Sequence, residues 1–414
     1  MTSFTSLGLA EPLLRALAAE NYTTPTPIQL EAIPLVLSGR DVLGLAQTGT
    51  GKTAAFSLPM LHLLAEKGGQ AKPAAPRALI LAPTRELAIQ IETSLKTYGR
   101  HLRLRHGVLL GGINQSRQVE MLRRGVDVLV ATPGRLLDLV KQRILSLGAI
   151  EMLVIDEADR MFDMGFIKDV RRIVSMVPRE RQSMLFSATM PDDVAHLVKE
   201  VLHDYATVRI APKQVAAERI DQRVHFVEKQ DKKTLLHNLL ADRAMSKVIV
   251  FTRTKHGANK VSEQLERARI AAEAIHGNKS QNARQRALEN FRAGRTRVLV
   301  ATDIAARGID IDDVTHVVNY ELPEVAESYV HRIGRTARAG AGGIAISFCD
   351  PTEHDSLRAI EKLLKKPLAH EGERPRGADG KPDAKVKQID YAKKRPRNRR
   401  RFGGNQNNRA PRAA

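Results

Sequence analysis

Residues 46–53 read Ala-Gln-Thr-Gly-Thr-Gly-Lys-Thr, and residues 156–159 read Asp-Glu-Ala-Asp. The first run follows the strand-like Val42-Leu43-Gly44-Leu45 and opens onto Ala54, Ala55 and Phe56, which continue as helix. Strand, loop and helix in that order are the setting a phosphate-cradling loop needs. Glycines at 49 and 51 let backbone N–H groups turn toward phosphate oxygens, and the helix N-terminus adds positive potential. In such a loop Lys52 reaches the β- and γ-phosphates of a nucleoside triphosphate, and the Thr53 hydroxyl holds Mg²⁺. Ala46, Gln47, Thr48 and Thr50 complete the cradle, with Ala46 standing where the textual pattern has glycine.

The second run ends another apolar stretch. Met152-Leu153-Val154-Ile155 reads as a buried parallel strand. Asp156 then falls at the strand's C-terminal end, where open α/β sheets place their ligands. An aspartate there orients a hydrated Mg²⁺, largely through water, and Glu157 beside it positions and polarises an attacking water. Capping the following helix would account for one acid, not for this cluster paired with a phosphate loop.

These sites need a scaffold, and the apolar runs supply it. Strand-like segments at 42–46, 78–82, 107–110, 126–131, 152–156, 183–187 and 207–210 alternate with helical patterns. A second series follows at 223–228, 248–252, 272–276, 298–302, 316–320 and 343–348, closing with a helix near 351–366. Alternation of this kind predicts parallel sheets covered by helices on both faces, an α/β architecture. The expected division is one domain over 1–210, a linker over 211–221, a second domain over 222–368, and a tail over 369–414. In the tail apolar residues thin out, and residues 393–401 read Lys-Lys-Arg-Pro-Arg-Asn-Arg-Arg-Arg. That composition predicts a disordered basic segment suited to loose capture of nucleic acid, or else a solubilising tail.

Composition narrows the class. The 414 residues are 43% apolar, enough for sizeable cores, and carry a net charge of +20, which points to a polyanionic partner. With 4% aromatics and no tryptophan, single-strand contacts are expected through phosphate and sugar rather than base stacking. The single cysteine, Cys349, sits in an apolar run and reads as a small buried hydrophobe. No disulfide or zinc cluster can be built from it, and no signal or membrane-spanning pattern is present, so the expected location is cytoplasmic.

Further motifs follow in order. Pro83-Thr84-Arg85-Glu86-Leu87, Gly111-Gly112, Thr132-Pro133-Gly134-Arg135 and Ser187-Ala188-Thr189 lie in the first half. Residues 302–310 (Thr-Asp-Ile-Ala-Ala-Arg-Gly-Ile-Asp) and 331–338 (His-Arg-Ile-Gly-Arg-Thr-Ala-Arg) lie in the second. Together with the two runs above, this ordered set resembles the DEAD-box ATP-dependent RNA helicases over about residues 4–366, and within them the bacterial RhlE type.

The resemblance implies two tandem RecA-like domains that close over ATP and RNA together. It assigns Tyr22 through Gln29 to the adenine-reading Q motif (within residues 2–30), with Gln29 reading the base edge, Tyr22 stacking on it and Phe4 packing behind. Arg335 and Arg338 match the arginine fingers, and Gly308 and Asp310 match the ATP-binding stretch of the second domain, Asp310 as its ribose-binding acid. Asp159, Ser187, Thr189 and His331 match the relay between the ATP site and RNA. Pro83, Thr84, Arg85, Gly112, Thr132 and Arg135 line one side of a single-strand track. Arg253, Gly277, Gln281, Thr302 and Asp303 line the other. Contacts to phosphate and sugar imply little sequence preference, and the 2′-hydroxyl gives a handle for RNA over DNA. Single-stranded and duplex RNA are the implied partners, with ribosome-assembly or RNA-decay proteins as further ones. The chain departs from the family twice, with Asn21 and Ala337 where glycine is usual; a methyl at 337 is tolerable unless that backbone needs a positive φ.

Overall fold

The computed structural model describes residues 3–47, 49–210, 220–306, 313–337 and 342–371. Two seven-stranded parallel sheets dominate it. The first contains β1 (Val42–Leu45), β2 (Ala78–Leu81), β3 (His106–Leu109), β4 (Val128–Ala131), β5 (Met152–Ile155), β6 (Gln182–Ser187) and β7 (Ala206–Arg209), in the order β3-β4-β2-β5-β6-β1-β7. The second contains β8 (Ile220–Phe226), β9 (Val248–Phe251), β10 (Ala272–Ile275), β11 (Val298–Ala301), β12 (His316–Asn319), β13 (Gly343–Cys349) and β14 (Ala369–Glu371). Its order is β10-β11-β9-β12-β13-β8-β14, the same topology shifted by seven strands. This is a tandem pair of RecA-like α/β domains.

The strands are short continuous apolar runs because both sheet faces are covered. Helices on one face of the first sheet bury Ile28, Ala55, Phe56 and Ile91 against Val42, Ile80 and Val154. On the other face Leu136, Met161, Val170 and Leu197 meet Leu43, Leu81 and Ile155. Each of the Val, Leu, Ile, Phe and Met side chains among them contributes about 1.5–3 kcal/mol when fully buried. Gly44 allows one close approach: a Cβ there would lie 2.4 Å from the Phe186 ring, so Phe186 lies directly on β1. Phe56 packs on Phe186 in turn, with ring centroids 5.4 Å apart.

Register then aligns the strand ends. Leu45 pairs with Ser187, Ile155 with Leu185, and Leu81 with both Ile155 and Ala131. Ala46 N–H donates to the Ser187 carbonyl (3.0 Å) and Asp156 N–H to the Leu81 carbonyl (3.0 Å). The loops that follow β1, β2, β4, β5 and β6 therefore emerge along one edge.

Two boundaries differ from expectation. β8 begins at Ile220, inside the stretch read as linker, and β14 occupies the first three residues of the stretch read as tail. β14 is held by parallel pairing to β8 and by Glu371, whose carboxylate lies 3.4 Å from His225. Edge pairing depends on the neighbouring strand, not on local apolar content. Cys349 is buried as expected, and burial pushes its thiol up to about 12. No helix among the described residues is long and apolar enough to cross a membrane.

Candidate functional site

The loop after β1 turns through Gly49 (φ +85°) and Gly51 (φ +92°). At Gly51 a Cβ would meet Gln29 Nε2 at 2.4 Å and Thr26 Oγ1 at 2.9 Å, so both its dihedral and its surroundings demand glycine. Gln29 is tied to this loop. Its Nε2 donates to the Gly51 carbonyl (3.1 Å), and its Oε1 accepts from Thr26 N–H (2.9 Å). A primary amide has a second N–H and a second lone pair, which remain the means by which Gln29 can read a base. Lys52, 6% exposed, folds back to donate to the Ala46 carbonyl (2.9 Å), and Thr50 Oγ1 donates to the Gln47 carbonyl (2.8 Å). Thr53 follows Lys52 in the first turn of the helix Lys52–Lys67.

Asp156 is buried opposite this loop. Burial pushes its carboxyl up to about 6 against the pull of Lys52, and the neighbouring Glu157 and Asp159 charges add to the rise. Oxygen donors from Asp156 and Thr53 suit a hard divalent cation such as Mg²⁺, and a cation there would relieve the strained Asp156 charge. Glu157 takes a left-handed backbone (φ 53°) at the start of the short helix Ala158–Asp163, and its carboxylate pairs with Arg160.

Asp159 reaches the end of β6. Its Oδ2 accepts from Ala188 N–H (3.2 Å), Thr189 N–H (2.9 Å) and the Thr189 hydroxyl (3.0 Å). Ser187 Oγ accepts from Asp159 N–H (3.2 Å) and donates to the Thr189 carbonyl (2.7 Å). The expected grouping of Asp159, Ser187 and Thr189 is thus a closed hydrogen-bond web. His331 lies on the helix Ala326–Ile333, where its carbonyl accepts from Arg335 Nε (3.2 Å).

Farther along the same edge, Arg85 lies over Gly111 and Gly112. A Cβ on Gly112 (φ +71°) would fall 2.5 Å from its guanidinium. Thr84 Oγ1 caps the helix Arg85–Tyr98 by accepting from Leu87 N–H (3.3 Å). Burial and the nearby Arg284 and Arg135 charges lower the Arg85 pKa against the opposing pull of Glu86. Pro83 and Thr132 occupy the ends of β2 and β4 beside them.

The second domain meets the first here. Arg85 Nη1 donates to Gln281 Oε1 (3.4 Å), Gln281 Nε2 donates to Glu86 Oε1 (3.3 Å), and Arg284 pairs with Glu86 at 3.0 Å. Glu86 and Arg284 were not singled out from sequence, since nothing local marks a pair 198 residues apart. Gly277 is exposed, with open space where a Cβ would stand. Thr302 N–H donates to the Ile275 carbonyl (3.4 Å). Both Asp303 oxygens are held by Arg332, at 2.5 and 2.7 Å. Arg253 donates to Glu353 (2.9 Å), so its guanidinium belongs to an internal network as well as to the edge.

Around the Q motif, Tyr22 is 51% exposed, and the ring behind it is Tyr98, edge-on at 6.3 Å. Phe4 is buried in the first core, which also holds Tyr98. Thr48, Gly308, Asp310 and Arg338, together with residues 372–414 of the tail, lie outside the described residues.

The DEAD/DEAH box helicase family matches residues 26–197, and the helicase conserved C-terminal domain matches residues 231–340. The ATP-dependent RNA helicase CshA of Listeria monocytogenes is 45% identical over 368 residues, which cover 88% of this chain and 69% of that protein. The chain belongs to the DEAD-box ATP-dependent RNA helicases. That relative is a CshA, so the family stands while the RhlE subtype does not gain from it.

Among solved structures, S. cerevisiae Dbp5 bound to RNA and ADP BeF3 aligns with a TM-score of 0.79 at 34% identity, covering 89% of this chain and 96% of that one. A DEAD box protein from Methanococcus jannaschii aligns at 35% identity over 89% of this chain and 99% of its own, with a TM-score of 0.52. At similar identity and coverage, the chain superposes more closely on the Dbp5 complex than on the Methanococcus jannaschii protein.

Both departures from the family fall on left-handed backbone. Asn21 has φ 58° and ends the helix Glu11–Ala19, with Tyr22 N–H donating back to the Leu17 carbonyl (3.0 Å). Asparagine tolerates this position well. Ala337 has φ 57°, so the condition under which its methyl is costly is met.

Proposed function

We propose that the protein binds ATP and single-stranded RNA together between its two domains and uses ATP hydrolysis to separate short RNA duplexes locally or to remodel RNA–protein complexes. The observation that carries this reading is the junction of Arg85 and Glu86 with Gln281 and Arg284, which joins the two domains on the sheet edge that also carries the ATP loop. Lys52 would leave the Ala46 carbonyl for the β- and γ-phosphates, and Gln29 would read adenine while holding Gly51. Thr53 and Asp156 would hold Mg²⁺, largely through water; bound there it supplies positive charge to the phosphate oxygens. Glu157 orients the water whose oxygen attacks the γ-phosphorus as the bond to the β–γ bridging oxygen breaks, giving ADP and phosphate. Arg335 and Arg338 bring positive charge from the second domain on closure. A finger of this kind contributes roughly 10³–10⁵ in rate. Asp159, Ser187 and Thr189 transmit RNA engagement to that centre. The setting is the cytoplasm, with ribosome-assembly or RNA-decay complexes as partners.

The test measures ATPase rate without nucleic acid, with single-stranded RNA and with matched DNA, alongside displacement of a short RNA duplex. Strong stimulation by RNA alone with ATP-dependent displacement is expected. Stimulation without displacement would make the protein an ATP-gated RNA clamp, and equal stimulation by DNA would overturn the RNA reading.

A further inference from the structure

We propose that Arg160 is the positioning residue for Glu157, fixing the carboxylate that orients the attacking water; this rests on the role given to Glu157 above. Two acids adjacent in sequence, Asp156 and Glu157, are both buried, at 2% and 5% exposure. Two like charges so placed need separate cations to hold separate orientations. Asp156 feels Lys52 from the phosphate loop. Glu157 is paired with the Arg160 guanidinium, whose side chain is 8% exposed.

Local backbone geometry enforces that pairing. The left-handed turn at Glu157 starts the helix, and Arg160 N–H and Met161 N–H both donate to the Glu157 carbonyl at 3.0 Å. Arg160 N–H also donates to Asp159 Oδ1 (3.0 Å). Residues three apart share a helix face, so Arg160 returns its side chain to Glu157. Asp159 is at the same time locked to Thr189 and Ala188. The orientation of Glu157 is therefore set by a turn anchored to the end of β6, with Arg160 as the side-chain clamp. A guanidinium offers a planar fork of donors that an ammonium cannot reproduce.

The test compares RNA-stimulated ATPase of Arg160→Met and Arg160→Lys with wild type, alone and in a Glu157→Gln background, with melting temperature and ATP-analogue binding measured for each. Arg160→Met keeps a long apolar stem and loses the charge. Its kcat is expected to fall at least ~10-fold with the ATP KM within about twofold. Arg160→Lys should recover part of the loss. In the Glu157→Gln background Arg160→Met should change kcat by less than about twofold, because residues acting as a unit are non-additive. Wild-type kcat in Arg160→Met, the same fractional loss in both backgrounds, or a loss matched by weaker ATP binding would each overturn the proposal. If Arg160→Met does not fold, the Lys variant decides: full activity refutes the fork requirement, and a kcat-only loss supports it. Near-normal turnover by Glu157→Gln alone would instead overturn the underlying role of Glu157.

Discussion

The two domains share one topology and divide the chemistry between them. At the ends of β2 and β9, Thr84 and Thr254 each cap the next helix, accepting from Leu87 N–H at 3.3 Å and Gly257 N–H at 3.0 Å. At the ends of β4 and β11, Thr132 N–H and Thr302 N–H donate back to the Leu109 and Ile275 carbonyls. Gly111 and Gly277 stand two residues past β3 and β10. This half of the edge, which faces RNA in the proposed reading, is present twice. The nucleotide half is present once. The helix after β1 begins with buried Lys52, and the helix after β8 begins with buried Lys232. Lys232 has no glycine-rich loop before it; it is held by Asp350 at 2.9 Å and by Glu353. Internal carboxylates thus satisfy in the second domain the charge that, in the proposed reading, the first keeps for phosphate. The difference teaches that the fold supplies the lysine, and that its surroundings decide whether it binds a ligand or the protein itself.

The largest expected effects break this comparison in opposite directions. Lys52→Ala should abolish measurable RNA-stimulated hydrolysis, a loss on the order of 10³, while leaving the melting temperature near wild type. Lys232→Ala leaves Asp350, 2% exposed, without its cation and takes one of two cations from Glu353, 1% exposed. Removing one partner of a buried pair costs about 3–5 kcal/mol. The second domain should therefore melt at a temperature lower by roughly 10 °C, with ATP affinity intact. If Lys232→Ala weakened ATP binding without loss of stability, the two lysines would not have separate duties.

The next effect tests the seam. Arg284→Ala removes the partner of Glu86, whose side chain is 5% exposed. The factor by which a non-hydrolysable ATP analogue tightens RNA binding should shrink by roughly 2- to 30-fold, the span by which single residues modulate coupling. RNA titrations with and without the analogue measure it directly. An unchanged factor would mean that these side chains meet without contributing to closure.

Much of this was legible in the chain because parallel strands buried on both faces are written as continuous apolar runs. The run Met152–Ile155 is fully buried, and Asp156 leaves its C-terminal end as the pattern required. The web of Asp159, Ser187 and Thr189 joined motifs already visible as motifs. Pairings set by the three-dimensional path were not legible. Arg284 and Glu86 belong to different domains, Tyr98 reaches the loop residue Tyr22 from the end of the helix Arg85–Tyr98, and Ala369–Glu371 pairs only because β8 presents an edge. The clamp on Glu157 was local yet missed, since an arginine after the acidic run has no special spacing of its own.

A smaller effect comes from the two acids that face these lysines. In the second domain burial pushes Asp350 up, but hydrogen bonds from Thr352 and Lys232 outweigh it and hold the carboxyl at about 2. In the first, burial leaves Asp156 at about 6 despite Lys52. In the proposed reading, a proton therefore competes with the cation for Asp156 in mildly acidic solution. Affinity for Mg²⁺·ATP should be flat above pH 7 and weaken below about pH 6, approaching tenfold per pH unit. Binding of a fluorescent ATP analogue between pH 5 and 8 reads this out; a flat profile would mean that Asp156 is ionised throughout.

The smallest effect sharpens the comparison at two left-handed residues, one in each domain. Asn21 ends a helix at φ 58°, a conformation whose cost asparagine offsets with its short polar side chain. Ala337 at φ 57° has no such recourse, and its turn is wedged in place. Thr336 Oγ1 donates to the Val314 carbonyl, and a Cβ on Gly343 would lie 2.8 Å from Ala337 N, so the chain cannot relax there by shifting toward β13. The left-handed conformation costs an alanine about 1–2 kcal/mol, whereas glycine costs roughly 0.5–1 kcal/mol through the unfolded chain. Ala337→Gly should therefore stabilise the second domain by about 0.5–1 kcal/mol, raising its melting temperature by roughly 1–4 °C. Asn21→Gly should leave the first domain within a few tenths of a kcal/mol. Differential scanning calorimetry of the two variants separates them, and a loss of stability in Ala337→Gly would show that the methyl is packed rather than strained.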